Sequence, residues 1–405
     1  MRYQVPWLFL FIVVATTQTS SAFIFDRRPA EKTDLTYLVV PVVVDIPGTG
    51  QAAGLGLYSV GILGDGVSLI GGKIQGDFDA EAVWVGGLPT GLEHLSLSTT
   101  YIKVQNLSVD QYGTGSNSPS DPSLNFQASQ SDTLGLDLSY RRHQGQLEFF
   151  ASAFRTVTAP QSYATSDGIE FADTLDPSIT SWTYRIGGYL DDTDNRRDPH
   201  IGYRTKWDRW AYAFSDGSIS NSYQDDLDLA AFYPMFSSRL VWASSLFYSQ
   251  STVTRKAVYI PYTCPEDAAP ECAEQALAEQ QLFEQEASLG SATALGGTQR
   301  MRAYPGFRFQ DAYSFFIGNE LRYYALENWL PFDFLVARGV YNSLQFAAFY
   351  ELGQVSSRRD SSLYSDFKTS TGLGLRAIFS SAVFRLDHAW GEEGSQTSVF
   401  WGYPF

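Results

Sequence analysis

Three observations predict an all-β fold, a transmembrane antiparallel β-barrel of about 16 strands. The first is the end of the chain, residues 397–405, T-S-V-F-W-G-Y-P-F. As an extended strand it sets Thr397, Val399, Trp401, Tyr403 and Phe405 on one face. Ser398, Gly402 and Pro404 fall on the other, and Phe400 alone breaks the polarity. Water would leave that aromatic face unburied, whereas an apolar-out strand of about 9–11 residues crosses a bilayer within a closed barrel. The second is the same two-residue alternation upstream. In 344–353, Leu344, Phe346, Ala348, Tyr350 and Leu352 oppose Gln345, Ala347, Phe349, Glu351 and Gly353. In 371–379, Leu373, Leu375, Ala377 and Phe379 oppose Gly372, Gly374, Arg376 and Ile378; in 382–390, Phe384, Leu386 and Trp390 oppose Arg385 and Asp387. Charges confined to one face predict a lipid-facing exterior and a polar lumen. The third is composition: aromatics reach 15% beside 34 glycines, as interfacial aromatic girdles require.

Taken in order, the elements begin with an export signal over residues 1–22. Arg2 precedes an apolar run over 5–15, and Ser20-Ser21-Ala22 supplies a small-residue cleavage site. The run is too short to span a membrane as a helix, which needs about 20 apolar residues. Residues 23–405 then read as one barrel domain without a linker. The first strands fall at 36–46 and 53–63. Pro41 removes a ladder donor from the first and suggests a seam position. Residues 263–311 form a long extracellular loop. Cys264 and Cys272, with no further Cys or His nearby, favour a local disulfide over a metal site in an exported chain. The Ala/Glu/Gln/Leu-rich stretch 273–289, ended by Gly290, reads as a short helix within that loop.

A net charge of −16 and pI of about 4.6 argue against a nucleic-acid partner, which needs a basic footprint. The acidic residues Asp225, Asp226 and Asp228, and those of 266–286, are expected in loops as solvated surface.

Residues 296–324 read G-G-T-Q-R-M-R-A-Y-P-G-F-R-F-Q-D-A-Y-S-F-F-I-G-N-E-L-R-Y-Y. This segment resembles the C-terminal barrel of the Omp85 superfamily, the bacterial surface antigen family. There a long extracellular loop folds into the lumen and carries a V/I-R-G-F/Y motif. Met301-Arg302-Ala303-Tyr304 stands in the motif's place, with Ala303 for the usual glycine. Gly318, Glu320 and Arg322 are similar to the family's G-x-E-x-R strand. Asp191-Asp192-Thr193-Asp194-Asn195 with Pro199 and Gly202 is similar to its D-x-x-D-N…P-x-x-G turn. Phe349-Tyr350-Glu351-Leu352-Gly353 resembles F-x-D-x-G, and 372–376 with 384–387 resemble the penultimate strands. An aromatic terminal strand also resembles the sorting signal of bacterial outer-membrane proteins, which implies the barrel assembly machinery as a partner. The resemblance implies that Arg302 pairs with Glu351 and pins the loop inside. It marks Glu320, Arg322, Arg376, Arg385 and Asp387 as a lumen network, Tyr304 as part of the loop motif, and 36–46 as the partner of the closing strand. Phe405 would then lie at the periplasmic rim. Insertases and translocases of the family carry POTRA domains, for which the stretch before residue 36 has no room, so a separate periplasmic partner is expected.

The resulting functional expectation is an integral outer-membrane barrel, in contact with lipid, that assists insertion or translocation of protein or lipid. A passive plugged pore is the alternative. No cofactor and no metal are expected. A barrel enzyme is disfavoured: His94, His143, His200 and His388 form no fixed triad spacing, and Ser380 and Ser381 near His388 lack a G-x-S-x-G elbow.

Overall fold

The structure, a computed structural model, describes residues 35–405 except 47, 65, 166–169, 172–177, 197, 216–218, 259–287, 328–330, 335–336 and 380–381. The export signal, both cysteines, residues 273–287 of the expected loop helix, Ser380 and Ser381 lie outside the described residues.

Eighteen strands join in one antiparallel sheet. They are β1 (Thr36–Ile46), β2 (Gly50–Val60), β3 (Ser68–Gly76), β4 (Asp79–Pro89), β5 (Leu95–Gln111), β6 (Leu124–Arg142), β7 (Leu147–Thr165), β8 (Glu170–Phe171) and β9 (Ile179–Thr193). Then follow β10 (Gly202–Phe214), β11 (Asn221–Pro234), β12 (Leu240–Arg255), β13 (Tyr313–Leu326), β14 (Pro331–Phe334), β15 (Ala337–Ser356), β16 (Lys368–Phe379), β17 (Ala382–Gly391) and β18 (Gly394–Trp401). The two-residue β8 and four-residue β14 flank β7 and β15, because β7 also pairs with β9 and β13 with β15. The remaining 16 strands form the closed wall. Closure leaves every interior strand two partners, which is how backbone polar groups are satisfied inside a bilayer. Among the described residues, no helix is long and apolar enough to cross a membrane.

Alternation settles the faces. Leu134, Leu136, Phe149, Tyr184, Ile186, Trp207, Phe346, Tyr350, Leu373 and Trp390 are exposed on the outer face. Gln345, Phe349, Glu351, Arg376, Arg385 and Asp387, their alternates on β15–β17, are buried inside. The wall has two unlike rims. The terminal rim holds the start of β1, the end of β18 and the connection 194–201. The loop rim holds 112–123, 256–258, 288–312 and 357–367.

Three sequence expectations change. The second strand spans Gly50–Val60 rather than 53–63, because Thr49 N–H bonds Ile46 O at 2.9 Å and turns the chain there. Asp225, Asp226 and Asp228 lie within β11, not in a loop. Asp225 faces outward against Arg209 (2.8 Å), and Asp226 and Asp228 face inward. The terminal strand stops at Trp401, with Val399 opposite Leu386 and Trp401 opposite Phe384 on the outer-face register. Gly402, at φ 87°, turns the chain inward, a conformation that costs glycine nothing. Tyr403 and Phe405 therefore pack inside, against the cluster of Phe232, Val241, Ala243, Tyr324, Ile378 and Val383, rather than continuing the aromatic outer face.

Candidate functional site

The site is built on a hairpin that descends from the loop rim along the inner wall. Residues 292–297 run antiparallel to 304–311, with Leu295 and Phe309 exchanging both backbone bonds (2.8 and 3.0 Å). The wall holds its base: Thr293 N–H bonds Ser249 Oγ at 3.0 Å, and Ser314 Oγ bonds Thr293 O at 2.8 Å. Met301 at φ 57° and the Tyr304 N–H to Met301 O bond (3.0 Å) fold the tip into a turn that projects Arg302.

Arg302 is fully buried and engages three strands at once. Its Nε donates to Glu351 Oε1 on β15 (2.8 Å), and its backbone N–H to Glu351 Oε2 (2.8 Å). Nη1 reaches Asp387 Oδ2 on β17 (2.9 Å) and Glu320 Oε1 on β13 (2.9 Å). The guanidinium carbon lies 3.4 Å from the centroid of the Phe349 ring. Charge-assisted bonds of this kind are about twice as strong as neutral ones, and stacking on a ring suits a planar, weakly hydrated cation. The neighbouring residues fasten the tip: Ala303 N–H bonds Ser370 Oγ (3.1 Å), and Tyr304 OH donates to Thr369 O (3.0 Å) while accepting from Glu392 N–H (3.1 Å).

Close approach requires missing side chains on the wall. A Cβ on Gly353 would stand 2.8 Å from atoms of Leu295 and Met301, and one on Gly391 would stand 2.8 Å from Tyr304 Cζ. These two glycines let the hairpin lie against β15 and β17.

All five lumen-network residues join this cluster. Glu320 accepts from Arg322 Nε (2.8 Å) and from Arg376 Nη2 (2.6 Å), and Arg376 Nη1 bonds Gln345 Oε1 (2.8 Å). Arg385 pairs with Asp387 (3.3 Å) and donates to the Thr298 carbonyl of the hairpin. Four guanidinium groups thus face three carboxylates in a space sealed from solvent. Alternation identifies Arg376, Arg385 and Asp387 on the wall, and the resemblance adds Glu320 and Arg322; their convergence on one side chain follows only from the barrel's closure. A second tether, Arg308 to Glu393 (2.6 and 2.7 Å) and Ser118 (2.8 and 2.9 Å), escaped the sequence reading because Glu393 and Ser118 lie on two other loops.

Below the cluster, the inturned chain end closes the lumen toward the terminal rim. Tyr403 OH donates to Asp198 Oδ1 (2.6 Å) and accepts from Gln345 Nε2 (3.1 Å). Tyr324 OH donates to the same Asp198 oxygen (2.5 Å), and the Arg322 guanidinium lies 4.5 Å from the Tyr403 ring centroid. Asp198 belongs to the 194–201 connection, which Asp194 organises by accepting from the His200 and Ile201 amides (2.9 and 3.1 Å). Burial would raise the Asp194 carboxyl, yet the His200 ring and these amides outweigh it and hold it below the usual range. Burial would likewise depress His200. Asp194, Asp198 and Glu327 prevail instead and raise its pKa above the ordinary histidine value. The His200 ring packs on Tyr324, centroids 4.5 Å apart. His388 lies on the outer face, bonded to Thr397 Oγ1 (2.7 Å) and edge-on to Trp390. His94 and His143 stand at turns with φ of 66° and 49°.

The seam is sparse. Among the described residues β1 meets β18 at a single register pair, Asp45 with Val399, while its other edge pairs with β2 over all eleven residues. At its start β1 instead pairs with β15, Tyr37 opposite Arg338 and Leu38 opposite Ala337.

No protein-family model and no curated protein matches this sequence. Among solved structures, CdiB from Acinetobacter baumannii is similar at a TM-score of 0.50 and 12% identity, over 91% of this chain and 59% of that one. BamA from Haemophilus ducreyi lacking POTRA domains 1-3 is similar at a TM-score of 0.50 and 11% identity, over 91% of this chain and 70% of that one. The barrel therefore shares its fold with these two structures, and the chain spans 59% of the CdiB chain's length.

Proposed function

We propose, from this shared fold and the Omp85 resemblance, that the protein is an integral barrel of the bacterial outer membrane that assists insertion or translocation of protein or lipid, without catalysis. In that setting the terminal rim faces the periplasm and the loop rim the cell exterior. Lipid covers the outer face, the barrel assembly machinery reads the closing strand, and a periplasmic partner delivers the client. The single observation that carries the reading is the seam. One register pair between β1 and β18 among the described residues leaves edge groups available to a client strand or a lipid, where successive strands elsewhere in the wall share seven or more. The hairpin and the inturned residues 402–405 support it, since they close the lumen and leave the seam as the easier path.

The test is assisted insertion in liposomes. Purified protein should accelerate membrane insertion of an unfolded outer-membrane barrel over empty liposomes. Joining the seam through Asp45→Cys and Val399→Cys, with Cys264 and Cys272 replaced by serine, should abolish that acceleration until reductant is added. Steady ion conductance without acceleration would instead establish the passive plugged pore.

A further inference from the structure

Near the loop rim, the hairpin and the wall line an open cavity of about 610 Å³ whose lining differs from the rest of the lumen. Tyr212 and Phe214 of β10 and Phe307 of the hairpin contribute three aromatic rings, and Gln310 and Asp311 contribute polar groups. The volume falls within the range of small-molecule sites, roughly 300–1,000 Å³.

Asp311 is the informative residue. It is 7% exposed and lines the cavity, and its Oδ1 accepts from the Ala312 amide (2.8 Å). Among the described residues no cationic side chain forms an ion pair with it, although Glu320, Glu351 and Asp387 nearby each hold an arginine. A buried carboxylate without a countercharge is costly, and buried charges are ordinarily paired. Asp226 repeats the pattern just behind the lining, where it accepts from the uncharged Gln224 (3.0 Å) and Thr293 (2.9 Å) side chains. Phe307, 56% exposed and at φ 60°, holds its ring at the cavity in a backbone conformation that a bulky residue seldom adopts.

We propose that this cavity binds a small organic cation carrying an amino group, with the ammonium at Asp311 and its stem among the rings of Tyr212, Phe214 and Phe307. Aromatic faces and a desolvated carboxylate are complementary to an alkylammonium, which offers both a charge and apolar surface. Inorganic cations satisfy the carboxylate but gain little from the rings. Neutral polyols leave the carboxylate unpaired. The site does not depend on activity at the seam, so the two readings fail separately.

Isothermal titration of the full chain in detergent micelles, with spermidine as the probe, tests the proposal. Saturable binding is expected, weakened at least about tenfold by Asp311→Asn and about threefold by Phe307→Ala, since a tenfold change corresponds to about 1.4 kcal/mol. Asp311→Asn preserves size and the acceptor for Ala312. Heat-modifiable migration shows that each variant is folded. Should Asp311→Asn fail to assemble, the exposed Phe307→Ala decides alone. The proposal is overturned by absence of saturable binding, by unchanged affinity in either folded variant, by sorbitol binding as tightly, or by Mg²⁺ displacing spermidine with equal affinity.

Discussion

The two sides of the barrel are held together by different physics. On the β12–β17 side, long ladders carry buried charge on their inner face, and the hairpin is locked against them by Arg302 and Tyr304. On the β1–β4 side, strands of 9 to 11 residues face inward with Val42, Val44, Ala52, Gly54, Gly56 and Ala80, a surface of small and apolar side chains. The outer faces are unlike as well. Lys73, Glu81, Lys103 and Asp132 follow one another across β3 to β6 on the outer register, whereas positions 321, 323, 346, 350, 373, 375, 386 and 390 on β13 to β17 are all aliphatic or aromatic. Rigidity is therefore concentrated on one flank of the seam, the one that reaches β18 through β17. A barrel that is to open at one place needs the rest of its wall to stay registered, and the ionic cluster supplies that.

Removing the cluster's centre should have the largest effect. Arg302→Ala would strand Glu351, Asp387 and Glu320 around a void, and breaking one partner of a buried pair costs about 3–5 kcal/mol. Heat-modifiable migration should shift to markedly lower temperature, and ion conductance should rise as the hairpin loosens. Retention of both wild-type values would show that the hairpin is held without Arg302.

The seam offers the converse experiment. The Asp45→Cys/Val399→Cys cross-link should raise stability by about 2–4 kcal/mol, because it constrains two elements far apart in sequence. A cross-link of the same kind within the β13–β15 ladder should add less, since that ladder is already closed over thirteen register pairs. Equal gains at both places would remove the distinction between the two sides.

The contact surface beneath the hairpin can be tested next. Gly353→Val would place side-chain atoms where Leu295 and Met301 already stand, an overpacking that costs about 1–3 kcal/mol. Gly71→Val, where the nearest atom to a Cβ is 3.5 Å away, should be tolerated. Limited proteolysis of the hairpin compares the two variants directly. Greater protection in Gly353→Val would refute the close approach.

These outcomes bear on what could be read from the residues alone. Alternation in 344–353, 371–379 and 382–390 was legible because a period of two has only one geometric meaning when charges keep to one face. Glu351 and Asp387 could thus be placed inside, and the resemblance around Met301-Arg302-Ala303-Tyr304 brought Arg302 to Glu351. Nothing local indicated that Asp387 and Glu320 would reach the same guanidinium, since closure of the wall brings β13 and β17 to one residue. The end of the chain misled for a related reason. Tyr403 and Phe405 continue the outward alternation of Val399 and Trp401, but Gly402 reverses the chain, and Asp198 and Arg322 offer the rings better partners inside. In Asp225, Asp226 and Asp228 charge density suggested a loop, where the neighbouring strand supplies Arg209 and the hairpin supplies Arg300.

The smallest expected effect concerns pH at the terminal rim. His200 has a raised pKa because Asp194, Asp198 and Glu327 surround it. A group whose pKa is higher folded than unfolded adds stability that is complete below the unfolded value, about 6.5 for histidine. That contribution is lost as pH rises through the folded value. The rim connection and the Tyr324–Asp198–Tyr403 contacts it supports should therefore tighten on mild acidification and relax toward alkaline pH. The change should amount to about 1 kcal/mol or less, given one partly accessible imidazole. His200→Gln should flatten this dependence between about pH 6 and 8 while leaving the Arg302 cluster unaffected, because no contact of that cluster passes through His200. Measuring conductance and unfolding across that window in both proteins separates the rim from the hairpin. An unchanged pH profile in the variant would place the titrating group elsewhere, and a simultaneous loss of hairpin protection would show that rim and cluster act as one unit.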